Sequence, residues 1–428
     1  MNSRTRTRAR LLHAGVAATW AVLSIAVQAQ THAAPAANPT AAASLTLRQV
    51  FDAAWARQPE AMALRARRDA ARAQQSAATA WTPEPAALEI SNKTDRLNRN
   101  RGARELEVGV AVPLWLPGER CRSAALAEAE GAAIESRVSA AQLRIAATVR
   151  EIWWQWQRAG IELDSARDQL NSSRRIATDV SRRTKAGDLA RADQHQADGA
   201  VASAEAALAQ AEAALAAARQ HLRALTGTAP ASSEAAASAA EPDPGTTAPD
   251  MEAHAALLEL KDRAAVAERT AALASTRSRA NPELMVVTTR DRGAFGEAAQ
   301  QTITLGVRIP FGGGPRHDAR TANARADATE VTAQLALERE RLMTDREAAR
   351  IRVDSSRVQL AAAERRAQLA RESRGFFDKS FRLGETDLPT RLRIEAEAAE
   401  AERQAARTRI ELASAISAWR QALGLLPQ

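Results

Sequence analysis

The chain has 428 residues, 59 of them Lys or Arg and 51 Asp or Glu, with 3% aromatics, no tyrosine and one cysteine. Its main residues, Ala with Arg, Glu, Gln and Leu, are strong helix formers, which favours long helices and excludes a large globular core of bulky side chains. One cysteine excludes an internal disulfide, and interspersed rather than blocked charge argues for ion-paired, solvated helix faces and against a nucleic-acid surface. At the start, Arg4, Arg6, Arg8 and Arg10 precede an apolar stretch over 11–27 and the small-x-Ala run Val27-Gln28-Ala29. A basic region, a short apolar region and such a site predict a secretory signal over 1–29. An Ala/Pro/Thr-rich flexible spacer follows over 30–44. Cys121 lies far from that site, so a lipoprotein signal is not expected.

The remainder reads twice. Thr82-Pro83-Glu84 returns as Asn281-Pro282-Glu283, and Val110-Ala111-Val112-Pro113-Leu114 as Val307-Arg308-Ile309-Pro310-Phe311. Lys185-Ala186-Gly187-Asp188 returns as Arg382-Leu383-Gly384-Glu385, and Ala224-Leu225-Thr226-Gly227 as Ala422-Leu423-Gly424, all at offsets of 197 to 199 residues. We therefore read a first repeat over 45–227, an irregular Pro-rich linker over 228–250, a second repeat over 251–424 and a short tail over 425–428.

In the first repeat, 45–80 has a helical pattern that Pro83 and Pro85 stop. A weak strand over 86–92 and a polar hairpin loop lead to a firm strand over 104–114. There Leu106, Val108, Val110, Val112 and Leu114 share one face, while Glu105, Glu107, Gly109, Ala111 and Pro113 share the other. A long helix over 119–186, a glycine break and a helix over 188–226 complete the unit. The second repeat gives strands over 284–290 and 302–311, with Ile303, Leu305, Val307, Ile309 and Phe311 on one face. Helices over 316–383 and 385–424 follow. A helix of 68 residues spans roughly 100 Å, about the sum of the two shorter helices beside it. Matched columns of this kind suit the wall of a tube. Four strands cannot close a sheet, and an open edge in a bilayer leaves backbone groups unpaired. Membrane barrels begin at about eight strands, so copies must pool theirs, and three copies give twelve.

These residues, over 45–424, resemble the TolC family of outer-membrane efflux proteins. The resemblance is carried by Leu45-Thr46-Leu47-Arg48-Gln49-Val50-Phe51 with Gln58-Pro59, by Pro113-Leu114-Trp115-Leu116-Pro117-Gly118-Glu119-Arg120, and by Phe381-Arg382-Leu383-Gly384-Glu385-Thr386-Asp387-Leu388. The Pro-Leu-x-x-x-Gly-x-Arg stretch and short strand loops look closest to the CzcC-like branch, which exports heavy-metal cations. The resemblance implies a mainly α protein with a small transmembrane β part. Long antiparallel helical hairpins would form a trimeric α-barrel tunnel, and four strands per protomer a twelve-stranded β-barrel. It implies a homotrimer in outer-membrane lipid with a periplasmic helical extension. Its implied partners are a periplasmic adaptor (membrane fusion) protein and an inner-membrane resistance-nodulation-division pump.

Carried over by position, the adaptor-binding tips are Lys185, Gly187, Asp188 and Leu189, and Arg382, Gly384, Glu385, Asp387 and Leu388. Asp193 matches a family position that closes the tunnel. Where some members carry acids six and nine residues past the second glycine, this chain has Thr390 and Arg393, leaving Asp387 as the substitute.

No catalytic set emerges and no enzyme activity, cofactor or metal ligand set is expected. The six histidines are scattered, and Gly312-Gly313-Gly314 reads as a strand-to-helix bend rather than a phosphate loop. Trp153, Trp154 and Trp156 read as packing between helices. The expected function is passive conduction, with heavy-metal cations as the favoured cargo. A drug or polypeptide duct of the same family, or a periplasmic coiled-coil scaffold, are the alternatives, and a scaffold has no need of alternating strands.

Overall fold

The computed structural model describes residues 45–228, 240–245, 249–312 and 314–428. The expected signal, the spacer and part of the linker lie outside the described residues. Among the described residues twelve elements follow one another. They are α1 (Leu47–Ala56), α2 (Pro59–Ala78), β1 (Ala87–Thr94), β2 (Arg104–Pro113), α3 (Glu119–Ala186) and α4 (Arg191–Thr226). After a 3-10 turn at Met251–Ala253 come α5 (Ala255–Thr276), β3 (Glu283–Arg292), β4 (Gln300–Arg308), α6 (Gly314–Arg382) and α7 (Leu388–Ala422). None of the described helices is long and apolar enough to cross a membrane.

The single helix expected over 45–80 is two. Thr46 and Gln49 start α1 with a capping box, each side chain accepting the other's backbone N–H at 3.2 and 3.0 Å. Gln58 is extended at ψ 140°, as the residue before a proline prefers, so Pro59 ends one helix and occupies the first turn of the next. At the other helix starts, α4 and α7 begin at Arg191 and Leu388 rather than directly after the glycines.

The strands form one antiparallel sheet in the order β1-β2-β3-β4. At the hairpin ends they run further than hydrophobicity indicated, because Lys93, Thr94, Asp291, Arg292, Gln300 and Gln301 continue the ladder with polar side chains. At the helix side β4 stops at Arg308, short of the expected Phe311. Its last partner is Glu283, which follows Pro282, a residue with no N–H to extend the ladder. Likewise β2 ends at Pro113, and the Leu114 N–H bonds the Pro282 carbonyl at 2.7 Å.

Two helices of 68 and 69 residues, α3 and α6, run the length of the bundle. Near the sheet α3 is joined to α2 through Arg68–Glu135 at 2.6 Å and to α5 through Arg144–Glu259 at 2.8 Å. Farther along it meets α4 through Arg174–Glu205 and α7 through Ser172–Glu395 and Glu162–Arg407. In the same way α6 lies along α5 first and α7 later, so the described helices give a wall four columns wide. Much of the buried surface is alanine, which lets the helix backbones approach closely.

The bulky core sits midway along α3. Trp153, Trp154 and Trp156 are buried there with Leu47, Val50 and Phe51 of α1 and Leu215 and Leu222 of α4. Trp153 and Trp156 meet edge to face at 5.1 Å, a preferred arrangement of aromatic quadrupoles. Beside this belt the linker is anchored through Glu241, whose side chain is 1% exposed. It takes Arg150 of α3 at 2.7 Å and Arg420 of α7 at 3.1 Å, so one carboxylate ties the linker to both repeats.

The bend between sheet and helix is fixed by Glu119, also 1% exposed. Its carboxylate accepts from the Leu116 N–H at 3.1 Å, the Asn281 amide at 2.7 Å and Arg277 Nε at 2.6 Å. The second repeat thus holds the first repeat's strand-to-helix turn. Replacing Glu119 with Ala leaves Arg277 and Asn281 without their shared acceptor, and we expect a loss of about 3 kcal/mol. A lowered midpoint in helix-monitored thermal unfolding checks this; an unchanged midpoint would count against the joint.

Candidate functional site

Besides the exposed flank of α6, two regions can meet something beyond the chain: the sheet, and the helix turns at the far ends of α3 and α6. In the sheet, register places Leu88, Val110, Val286 and Leu305 in one row across all four strands. Ile90, Val108, Thr288 and Ile303 form the next row, and Val112, Leu284 and Val307 the row on the helix side. Period-two alternation puts all three rows on one face. That face is uncovered: Leu88 and Ile90 are 65% exposed, and Ile303 and Leu305 75% and 71%. From Ile303 to Val307 the apolar positions of β4 span about 14 Å at ~3.4 Å per residue, with Ile309, Phe311 and Trp81 exposed beyond.

The opposite face is polar. Its rows are Glu89, Gly109, Val287 and Thr304; Ser91, Glu107, Thr289 and Thr302; and Lys93, Glu105, Asp291 and Gln300. Lys93 Nζ bonds Glu105 at 3.0 Å and Ser91 Oγ bonds Glu107 at 2.8 Å. A water-soluble sheet covers its apolar face and wets its polar one. Here the bare face is the apolar one, and the outer edges of β1 and β4 have no strand partner among the described residues.

At the far ends the two turns share one construction. Gly187 and Gly384 adopt φ of +91° and +79°, left-handed conformations that a side chain would strain. Asp188 N–H bonds the Arg183 carbonyl at 2.9 Å and Gly187 N–H that of Thr184 at 3.2 Å. Glu385 and Gly384 repeat this onto Ser380 and Phe381 at 3.0 and 3.2 Å, so both long helices end in Schellman motifs. Lys185, Gly187, Asp188, Arg382, Gly384, Glu385 and Asp387 are exposed and Leu189 is half-buried. Leu388 is only 2% exposed, packed with Phe381, Ile176, Val180 and Ala197. As the first residue of α7 it points into the interface with α3, so its place is beneath the tip rather than on its surface.

The two acids singled out near the tips are both engaged with backbone. Asp193 accepts the Ala190 N–H at 3.1 Å, and Asp387 caps α7 by accepting the Thr390 N–H at 3.1 Å. Hydrogen bonds from the Thr390 side chain and amide hold the Asp387 carboxyl below its ordinary range. His195 is exposed, and among the described residues no group of three or more His, Cys, Asp or Glu is placed to hold a metal.

Sequence reasoning missed a cluster just above the turns. Arg391 of α7 bridges Asp378 of α6 at 2.7 Å and Asp179 of α3 at 3.5 Å. Arg183 also reaches Asp179 at 3.5 Å and donates to the Phe381 carbonyl at 3.2 Å. The guanidiniums of Arg183 and Arg391 lie 4.8 and 4.6 Å from the buried Phe381 ring. The i,i+4 pair Asp179–Arg183 was readable; the cross-helix partners depend on how α3 and α7 pack.

Residues 50–228 match the family model described as Outer membrane efflux protein. No curated protein matches the chain. Among solved structures, the outer membrane protein VceC from Vibrio cholerae is 18% identical, covering 88% of this chain and 96% of that one, with a TM-score of 0.68. CusC is 15% identical over 90% and 93% at a TM-score of 0.73. The Campylobacter jejuni CmeC outer membrane channel is 14% identical over 88% and 85% at 0.69. The chain therefore has the fold of these proteins, a mostly helical body with a four-stranded antiparallel sheet.

The Asp387 cap carries a pH signature. Because its carboxyl is held low in the fold, its contribution is fully present above the ordinary aspartate range and is lost as pH falls through the depressed value. Asp387→Ala should speed hydrogen exchange at Thr390 and Arg391 at neutral pH, with the difference from wild type vanishing in strong acid. Equal exchange at neutral pH would show that the cap is dispensable.

Proposed function

We propose that the protein is the outer-membrane channel component of a tripartite efflux system, working as a homotrimer that conducts substrate passively. The observation that carries this reading is the bare apolar face of a sheet that has two open edges. Unpaired backbone groups cost several kcal/mol each in hydrocarbon, so a four-stranded piece can enter a bilayer only inside a closed ring. Three copies supply a twelve-stranded barrel, apolar outward and polar toward a water-filled path. Trp81 and Phe311 suit the boundary between the apolar band and water.

The helices support the same assembly. Along α6, Ile351, Val358, Leu369 and Phe376 are exposed, at steps of seven, eleven and seven residues. Seven residues fall about 20° short of two turns and eleven about 20° beyond three, so the four share one stripe. A neighbouring copy's helix covers such a stripe and extends the four-column wall into a tunnel.

The tips at Lys185, Gly187, Asp188 and Leu189 and at Arg382, Gly384, Glu385 and Asp387 meet a periplasmic adaptor coupled to an inner-membrane resistance-nodulation-division pump, seated by Leu388 underneath. Asp193 and the Asp179–Arg391–Asp378 chain hold the tunnel end closed. Heavy-metal cations are the favoured cargo: Glu89, Glu105, Glu107, Glu283 and Asp291 outnumber Lys93 and Arg308 on the polar face, and an acidic wall favours cations. No chemical step is assigned to the protein.

A strain lacking the protein should become sensitive to divalent heavy-metal cations, and the wild-type chain should restore resistance. Sensitivity to drugs alone would replace metal cations by drugs as the cargo. Gly384→Pro should fail to restore it while the trimer still forms, because proline fixes φ near −65° and removes the N–H that bonds Phe381. Wild-type export by that variant would remove the role given to the tip. Val110→Arg or Leu305→Arg places a charge in the apolar row and should cost roughly 2–4 kcal/mol of membrane stability. The readout is the fraction of heat-modifiable trimer, and undiminished assembly would contradict a lipid-facing row.

A further inference from the structure

We propose that the hairpin ends of the sheet form an arginine collar that binds phosphorylated lipid headgroups of the outer leaflet, an inference that rests on the membrane reading above. Arg96, Arg99, Arg101 and Arg104 lie in or beside the first hairpin loop, and Arg290 and Arg292 on the strand leading into the second. None of the six forms an ion pair among the described residues, although paired arginines line the helices. All but the half-buried Arg292 are exposed.

The nearby acids are committed elsewhere. Asp95 accepts the Arg101 N–H at 2.6 Å through its carboxylate, and its carbonyl takes the N–H groups of Asn98, Arg99 and Asn100 at 2.9–3.1 Å. Glu297 accepts from Gly293 and Ala294, both at 3.1 Å. Asp291 pairs in register with Glu105 on the polar face. The loop carboxylates therefore shape the loops, Arg292 is tied to the Gly102 carbonyl and the Phe295 ring, and the other five guanidiniums are left to meet an external anion.

The two loops also make one platform. Phe295 N–H bonds the Arg101 carbonyl at 2.9 Å and Arg292 Nε that of Gly102 at 3.2 Å. Gly102 sits at φ +96°, and a Cβ there would fall 2.6 Å from Phe295, so the close approach requires glycine.

Position selects a lipid as the occupant. Arg290 is in register with Leu106, and Arg104 with Arg292, which places these arginines on the apolar face just past its last row. Leu97 and Phe295, 98% and 62% exposed, stand beside them. Apolar rows followed at once by guanidiniums, with isolated apolar and aromatic side chains beside them, set the positive charge at headgroup depth next to the acyl region. Guanidinium binds phosphate oxygens in a bidentate manner and keeps its charge throughout. Three copies would set fifteen such groups around the rim.

The test uses the full-length protein in phosphatidylcholine vesicles containing lipid A, either bis-phosphorylated or enzymatically dephosphorylated, and measures lipid A retained per protein after mild delipidation. We expect preferential retention of the phosphorylated form, unaffected by added inorganic phosphate. Joint replacement R96Q, R99Q and R101Q should weaken it by about fivefold per arginine, and Arg290→Gln alone by about the same single step. Equal retention of the two lipids, unchanged retention in the variants, or displacement by inorganic phosphate would overturn the proposal. Insertion into plain phosphatidylcholine vesicles separates the two readings: insertion without phosphate preference removes the collar alone, and failure to insert removes the barrel with it.

Discussion

Everything in this protein is arranged around a sheet that cannot be finished by one chain. Each edge of β1 and β4 presents backbone donors and acceptors that water satisfies at no cost and hydrocarbon does not satisfy at all. The bare rows Leu88–Val110–Val286–Leu305 and Ile90–Val108–Thr288–Ile303 ask for hydrocarbon nonetheless. These demands conflict for a protomer and agree for a closed ring of protomers.

The joints between repeats show what such an assembly needs from its helices. Long alanine-rich columns have little bulk with which to fix their angles, so buried carboxylates do it. Glu119 binds the turn after β2 to Arg277 and Asn281, and Glu241 binds the linker to Arg150 and Arg420. A buried ionic joint adds little net stability over an apolar one, yet it holds one geometry, which suits the proposed assembly of copies in register. The tryptophan belt is the exception, concentrating bulk where α1, α3 and α4 meet.

The fold was legible because its signals are periodic and its ends are punctuated. Alternation marked β2 and β4, while Gly187 and Gly384 stood close to the true ends of α3 and α6. Legibility failed where side chains rather than hydrophobicity carried the structure. Lys93, Thr94, Asp291 and Arg292 extend strands that looked finished, and Pro59 divides a helix whose apolar pattern runs on across it. At the tips, glycine position revealed the turns, but the burial of Leu388 and the Asp179–Arg391–Asp378 chain depend on how α3 and α7 pack. No local pattern states that.

The central claim is that three chains close one barrel in the outer membrane. Its most direct test is the native mass of the full-length protein extracted from isolated outer membranes in mild detergent. The account predicts a species of three copies that is absent from the soluble periplasmic fraction. A monomer recovered in that soluble fraction would contradict it.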